Sequence, residues 1–292
     1  MTHALFDEGV ATAVTSTPDR MTRRDWLHGL AAVAVGAAAG TGAHGFLYER
    51  HHLGVTRTSI SMAGLPEALS GLRVGFLTDL HRSSTVSHEL VERAARLLVS
   101  ERPDLIVLGG DYVTWGDRNF VEPAAEALAP LNAPHGVFGV LGNHDDDRDM
   151  PSALERRGFE ILRDARTRVT IRGEPFDIMG IRYWTRRMAD IARVVKGATT
   201  ASIFIAHTPS RLTEAAALAL PLMLSGHTHG GQVVLPGLGP IAARNFPVVA
   251  GHAQRENTQV FVSRGVGTVY LPVRVDCPPE VVVLTLTPTA IA

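Results

Sequence analysis

The chain holds one cysteine, Cys277, among 292 residues. A single thiol closes no internal disulfide and cannot build a thiolate zinc site alone, which excludes a disulfide scaffold and a zinc finger. Charge is sparse too, at 20% Asp, Glu, Lys and Arg with a formal net charge of −1. A nearly neutral chain that is 45% hydrophobic is neither a disordered tail nor a polybasic nucleic-acid module, so no nucleic-acid surface is expected. After residue 50 there is no internal repeat and no low-complexity tract. Against these absences stand thirteen histidines. Imidazole is the commonest protein ligand for metals, so their placement carries the first functional information.

Charged residues are missing altogether from positions 26–48, between Asp25 and Glu49, and twelve of the seventeen residues in 29–45 are Ala or Gly. The stretch is long enough to cross a bilayer, although its apolar content per residue is low for a permanent span. Just ahead of it, Thr22-Arg23-Arg24-Asp25-Trp26-Leu27 resembles a twin-arginine export signal, with Trp26 where Phe is usual and Thr22 where Ser is usual. Thr41-Gly42-Ala43 offers small residues of the kind a signal peptidase reads. Residues 1–48 are therefore read as a signal or membrane anchor, either cleaved or kept, and residues 49–292 as one domain. This implies the twin-arginine export machinery as a partner, membrane association in the anchored case, and a location facing the extracytoplasmic side. Export of a folded chain suits a protein whose metals are inserted in the cytoplasm.

The body alternates strand and helix patterns. Short apolar runs at 72–78, 104–108, 137–141, 176–181, 202–206 and 221–225 predict strands, and 259–263 and 280–286 give a β-rich tail. Helical spacing predicts helices over 87–100, with Leu90, Ala94, Leu97 and Leu98 on one side, and over 120–131, 150–157 and 211–220. The order implies an α/β fold of layered sheets with outer helices.

Five of these strands run into polar clusters: Asp79-Leu80-His81, Gly109-Gly110-Asp111, Gly142-Asn143-His144-Asp145, His207, and Gly226-His227-Thr228-His229-Gly230-Gly231. In extended chain, residues two apart point the same way, so Asp79 and His81 are expected to aim at one point. Ligands of open α/β sheets collect at the carboxyl ends of strands, where all five clusters lie. Carboxylate, imidazole and one amide oxygen form a mixed N/O set suited to Mn, Fe or Zn, and too rich in imidazole for calcium. Seven ligands exceed the need of one tetrahedral metal and fit two metals sharing a carboxylate, an arrangement able to hold both oxygens of an in-line displacement at phosphorus. Two divalent ions, Asp79, Asp111 and a bridging hydroxide leave about one positive charge, which favours a phosphate oxyanion.

Taken in order, Asp79-x-His81, Gly110-Asp111, Gly142-Asn143-His144-Asp145, His207 and Gly226-His227-x-His229 resemble the motif series of calcineurin-like metallophosphoesterases, over roughly residues 70–290. Gly226-His227-Thr228-His229-Gly230-Gly231-Gln232, the tail Ser263-Arg264-Gly265-Val266-Gly267-Thr268, and Leu271-Pro272 with Cys277-Pro278-Pro279-Glu280 are similar to its bacterial exported or membrane-associated phosphodiesterase subgroup. The resemblance implies a four-layer α/β/β/α sandwich with a dinuclear metal site between the sheets. It assigns Asp79, His81 and His229 to the first metal, Asn143, His207 and His227 to the second, and Asp111 to both. Catalysis then rests on Asp111 and His144: a metal-bridging hydroxide attacks phosphorus in line, and His144 stabilises charge and protonates the leaving oxygen. Arg82 follows His81 where a smaller residue is usual, and Val269-Tyr270 varies the tail.

Arg82, Arg182, Tyr183 and Trp184, with Arg186 and Arg187, are candidates for substrate recognition, since guanidinium forks suit phosphate and an adjacent Tyr-Trp pair can meet a sugar, base or acyl chain. Arg186 and Arg187 also fit as the opening of a helix running to Lys196. No large insertion separates the motifs, so no capping domain is expected, and Cys277 reads as a packed or turn residue without chemistry. The function expected is hydrolysis of a phosphodiester or pyrophosphate. A phosphomonoesterase, a lipid pyrophosphatase acting on a substrate of the UDP-2,3-diacylglucosamine type, and a non-catalytic binding module of the same fold stand as alternatives.

Overall fold

In a computed structural model the protein is described over residues 22–289, and the first twenty-one residues of the expected signal lie outside that range. The chain divides into two compact units, Met1–Gly40 and Thr41–Ala292. In the first, residues 23–40 are helical, as part of α1 (Arg23–Leu47). Among the described residues one helical stretch, Trp26–His51, is long and apolar enough to cross a membrane, with a mean hydropathy of 1.4 over its most apolar window.

The second unit carries two six-stranded sheets. The first has the order β1 (Gly54–Met62), β14 (Glu280–Pro288), β2 (Leu72–Leu77), β3 (Leu105–Leu108), β4 (Val137–Gly139), β5 (Glu160–Ile161). The second runs β12 (Gly251–Arg255), β13 (Thr258–Val262), β9 (Leu222–Ser225), β8 (Ser202–Ile205), β7 (Glu174–Gly180), β6 (Ala165–Ile171). A small pair, β10 (Val234–Leu235) and β11 (Gly239–Pro240), stands apart.

Period-two alternation explains the layering. Val74 and Phe76 of β2, Leu105 and Val107 of β3, and Val282 and Leu284 of β14 enter the same buried cluster as Phe176, Ile203 and Leu222 of the second sheet. Leu77, Ile106, Leu108, Val281 and Val283 face the other way, against helices α2 (His88–Ser100), α3 (Val121–Ala127) and α4 (Asp149–Glu155). Met179, Phe204, Met223 and Val262 do the same for α5 (Met188–Val195) and α6 (Leu212–Ala217). The result is the expected four-layer α/β/β/α sandwich.

Ser87 caps α2 through its side chain, which accepts the Leu90 N–H, and Val91 and Ala95 join the expected apolar face while Leu97 is only half-buried. Two helices are shorter than their patterns predict. α3 stops at Ala127 rather than reaching Leu131, because Pro130 lacks an N–H and bars helical geometry from the residue before it. α6 ends at Ala217, where Ala219 turns to φ 50°. Strands β1, β5, β6 and β12 were not among the predicted elements. β1 and β6 are edge strands with half-exposed alternating patterns rather than solid apolar runs.

Candidate metal centre

Strands β2, β3, β4, β8 and β9 deliver their polar clusters to one region, but not by continuing as strands. Asp79, His81, Asp111, His227 and His229 all sit in the left-handed region, with φ of 54°, 48°, 56°, 71° and 52°. Asp79 and His81 do converge, yet through these turns and not through the extended alternation expected of residues two apart. Each such residue costs about 1 kcal/mol or more, a strain typical of functional sites. Backbone bonds hold it: Asp79 N–H donates to Gly110 O at 2.9 Å and His81 N–H to Asp111 O at 3.0 Å. Asp145, a member of the third cluster with no role expected of it, accepts the N–H groups of Asp111 (2.8 Å), Tyr112 (2.7 Å) and Gly142 (2.8 Å), tying the third cluster to the second.

Two glycines are required by close approach. A Cβ on Gly142 would stand 2.0 Å from Asp111 Oδ1, and one on Gly226 would stand 2.0 Å from Asp79 Oδ2. Each leaves room for one carboxylate.

The side chains form two triads whose donor atoms lie within 4.8 Å of one another: Asp79, His81 and His229, and Asp111, His207 and His227. In the first, His81 Nε2 is 3.0 Å from His229 Nε2, which is 3.4 Å from Asp79 Oδ1. In the second, His207 Nε2 is 3.3 Å from His227 Nδ1. Asp111 Oδ2 stands between them, 3.1 Å from His207 Nε2 and 3.5 Å from His81 Nε2. Asn143 lines the same cavity as Asp111 and His227, and its Oδ1 is buried without a hydrogen-bond partner, as is His229 Nδ1. His144 donates its backbone N–H to Asp111 Oδ1 at 2.8 Å, and its Nδ1 accepts the backbone N–H of Trp115 at 3.1 Å.

Burial governs the electrostatics. It pushes the Asp79 carboxyl up to about 6, and takes His81 down to about 3 and His227 down to about 4. His229 falls well below the usual imidazole range for the same reason. Burial works likewise on Asp111 and His207, but their mutual charge and hydrogen bond overcome it, holding the Asp111 carboxyl low and His207 up at about 10. Three neutral imidazoles, two carboxylates and an unpartnered amide oxygen facing inward make a donor set that fits divalent cations of the Mn, Fe or Zn type.

A fully buried arginine, Arg274, braces the first triad from outside. Its guanidinium donates to Gly267 O (2.6 Å), Arg264 O (2.8 Å) and Cys277 O (2.9 Å). This fixes the loop of Gly265 and Gly267, where a Cβ would strike Asp79 Cβ at 2.5 Å and Leu80 O at 2.1 Å. Cys277 is buried and its Sγ donates to His229 O at 3.2 Å. Gln232 fastens a further loop, donating from Nε2 to Leu271 O (2.7 Å) and accepting the Val269 N–H at Oε1 (2.9 Å). No motif marks Arg274, Gln232 or Trp115: Gln232 and Trp115 bond to groups 29 to 39 residues away, and Arg274 bonds to carbonyls of its own irregular loop.

The substrate candidates divide. Tyr183 stands beside the second triad, its ring centroid 5.4 Å from His227 and 5.9 Å from His207, with the exposed Trp184 edge-on to it at 4.7 Å. Arg82 turns into its own loop, donating to Val86 O at 2.9 Å with its guanidinium 4.7 Å over the Phe120 ring. Arg182 lies against Asp164, 3.8 Å away. Arg187 precedes the first residue of α5, which ends at Val195, while the Arg186 guanidinium lies 5.9 Å from the Trp184 ring.

Residues 72–231 match the calcineurin-like phosphoesterase family model. The chain is 29% identical over 286 residues to the uncharacterized metallophosphoesterase YkuE of Bacillus subtilis, covering 92% of this chain and 99% of that one. It is 32% identical to an uncharacterized metallophosphoesterase of Aquifex aeolicus, covering 82% and 93% of the two chains. With the phosphodiesterase YaeI of Escherichia coli it shares 30% identity over 73% of its own length and 82% of that protein's. The motif series, the sandwich and these matches agree: the chain belongs to the calcineurin-like phosphoesterase family and is a metal-dependent hydrolase of phosphoric esters.

Proposed function

We propose that the chain hydrolyses phosphodiesters or pyrophosphates at a two-metal centre, with Asp79, His81 and His229 holding one cation, Asn143, His207 and His227 the other, and Asp111 both. The observation that carries this reading is the place of Asp111 Oδ2, within 3.5 Å of an imidazole of each triad. Divalent cations bound there supply Lewis acidity and lower the pKa of a water, the attacking species of such reactions. The chain supplies orientation and a hydrogen-bond donor. The His144 N–H fixes Asp111 Oδ1, leaving Oδ2 to the two triads. Because His144 Nδ1 accepts the Trp115 N–H, its proton sits on Nε2, and burial keeps the ring neutral by lowering its pKa. Nε2–H then faces the leaving oxygen as a hydrogen-bond donor that stabilises the charge developing there. A diester is favoured over a monoester dianion because Arg82 and Arg182 are committed to Val86 O and Asp164 and bring no further cation to the centre. Tyr183 borders the substrate on the side of the second triad.

Residues 1–48 serve as a twin-arginine signal or anchor and 49–292 as the catalytic domain, which faces the extracytoplasmic side. The length and hydropathy of Trp26–His51 and the Arg23-Arg24 pair support this. Protein stripped of metal and reloaded with Mn, Fe or Zn is assayed on matched chromogenic mono- and diesters. Diester turnover with at least one metal is expected; none with any metal favours a binding module, and monoester preference overturns the diesterase reading. In cell fractions, replacing both arginines with Lys should leave the protein cytoplasmic.

A further inference from the structure

A cavity of about 330 Å3 opens directly onto the metal centre, with Asp111, Asn143, His144, His227 and His229 at its floor. Its other wall is hydrocarbon: Val233, Ile241, Phe246, Val269, Tyr270 and Leu271. No Lys, Arg or Glu lines it, and its only carboxylate is Asp111 at the floor. Two of the polar side chains of this wall are already engaged. Both ends of the Gln232 amide are spent on Leu271 O and Val269 N–H, and Thr228 Oγ1 donates to Val249 O at 2.6 Å. The one cation of the adjoining loop, Arg244, folds back onto Pro240 O (2.5 Å) and Leu238 O (3.0 Å). A sugar or nucleobase entering here would lose hydration along the apolar wall and meet few free partners there, a cost of about 1–3 kcal/mol for each polar group left stranded.

The wall is also built at a conformational cost. Tyr270 has φ 61° and is 78% exposed, and Trp115 has φ 56° and is 65% exposed. A bulky aromatic in the left-handed region is an outlier, and neither ring is buried by folding. They meet edge to face at 5.2 Å, and Trp115 meets the His144 ring at 4.4 Å, so an exposed aromatic ridge begins at His144. Ile241 and Leu271 add apolar surface at least half exposed beside it.

Resting on the diesterase reading above, we infer that this cavity is a subsite for an uncharged, apolar substituent of the substrate, an alkyl or aryl group esterified to the phosphate that is cleaved. Val233, Ile241, Phe246, Tyr270 and Leu271 then set specificity, and the metal centre supplies hydrolysis alone. An apolar ester free in solution and one presented by a bilayer share this chemistry.

The test uses full-length, metal-loaded protein and 4-nitrophenyl phosphodiesters whose second alcohol is methyl, butyl or octyl, below their aggregation limits. A second arm presents the octyl ester in phosphatidylcholine vesicles. kcat/KM is expected to rise from methyl to butyl by about tenfold or more, mostly through KM, as apolar pockets discriminate methylenes. Ile241→Asp, at an exposed position, should shrink the octyl-to-methyl ratio about tenfold, with metal content and melting temperature measured alongside. Tyr270→Ser is the second variant and should act in the same direction. A further gain in vesicles identifies the bilayer as the source, and a gain only in solution a free ester. A ratio near one in both arms, with the methyl ester still turned over, overturns this subsite. No turnover of any diester, methyl included, overturns instead the reading on which it rests.

Discussion

The two triads are made of the same donor types and differ in what surrounds them. Asp79, His81 and His229 are all buried, only His229 reaching the floor of the cavity, with the Gly265–Gly267 loop, locked by Arg274, pressed against Asp79 and His81. In the second group, Asp111 and His207 are buried but His227 and Asn143 are half-exposed and face the cavity. Equivalent chemistry is thus held once in a nearly closed box and once at an open wall. On the proposed two-metal reading, the closed triad would release an ion slowly, and the open one would exchange its ion and meet substrate.

Asp111→Asn strikes what the triads share and should have the largest effect, taking diester turnover to background and lowering metal content at both sites. Elemental analysis and initial rates check it together. The comparison is tested most directly by Gly226→Ala and Gly142→Ala. The first drives a methyl into Asp79, which serves one triad, and the second into Asp111 Oδ1, which belongs to the residue both share, so Gly226→Ala should weaken one ion about 10–100-fold and Gly142→Ala both, read by competition with a chelating dye. If Gly226→Ala weakens both ions equally, the division into two sites fails. His144→Gln lies outside both donor sets and should cut kcat about 10²-fold while metal content stays at the wild-type value.

The smallest effect sharpens the contrast through protons. In the metal-free protein His207 keeps its proton up to about pH 10, so loading the open triad near neutrality must release it. Affinity there falls steadily as pH falls. In the closed triad His81 is already neutral above about pH 3, and Asp79 titrates near 6, so affinity is flat above about pH 6 and weakens below it. Calorimetric titration in two buffers of different ionisation heat reads the released proton. Equal release at both sites would erase the distinction.

The sequence made the clusters visible because residues of rare chemistry ended short apolar runs, and such runs are the strongest local signal of a strand. It gave the convergence of Asp79 and His81 the wrong cause, since left-handed turns leave no periodicity to read. Asp145, Gln232 and Arg274 stayed illegible for another reason. Their partners are backbone groups of irregular loops, near in the chain for Arg274 and mostly far for Asp145 and Gln232, and no pattern in composition or spacing announces a backbone group that needs a partner. β1 and β6 escaped as half-polar edges, although their alternation was present in the residues.

The five left-handed residues of the centre carry a thermodynamic consequence. Strain and buried carboxylates burden only the folded state, and a bound cation relieves that state alone. Folding and metal supply are therefore linked: an ion at a hundred times its dissociation constant adds about 2.7 kcal/mol to stability. The melting temperature of this chain should then report the free metal concentration around it, and a metal-starved compartment would hold protein that is less stably folded as well as inactive.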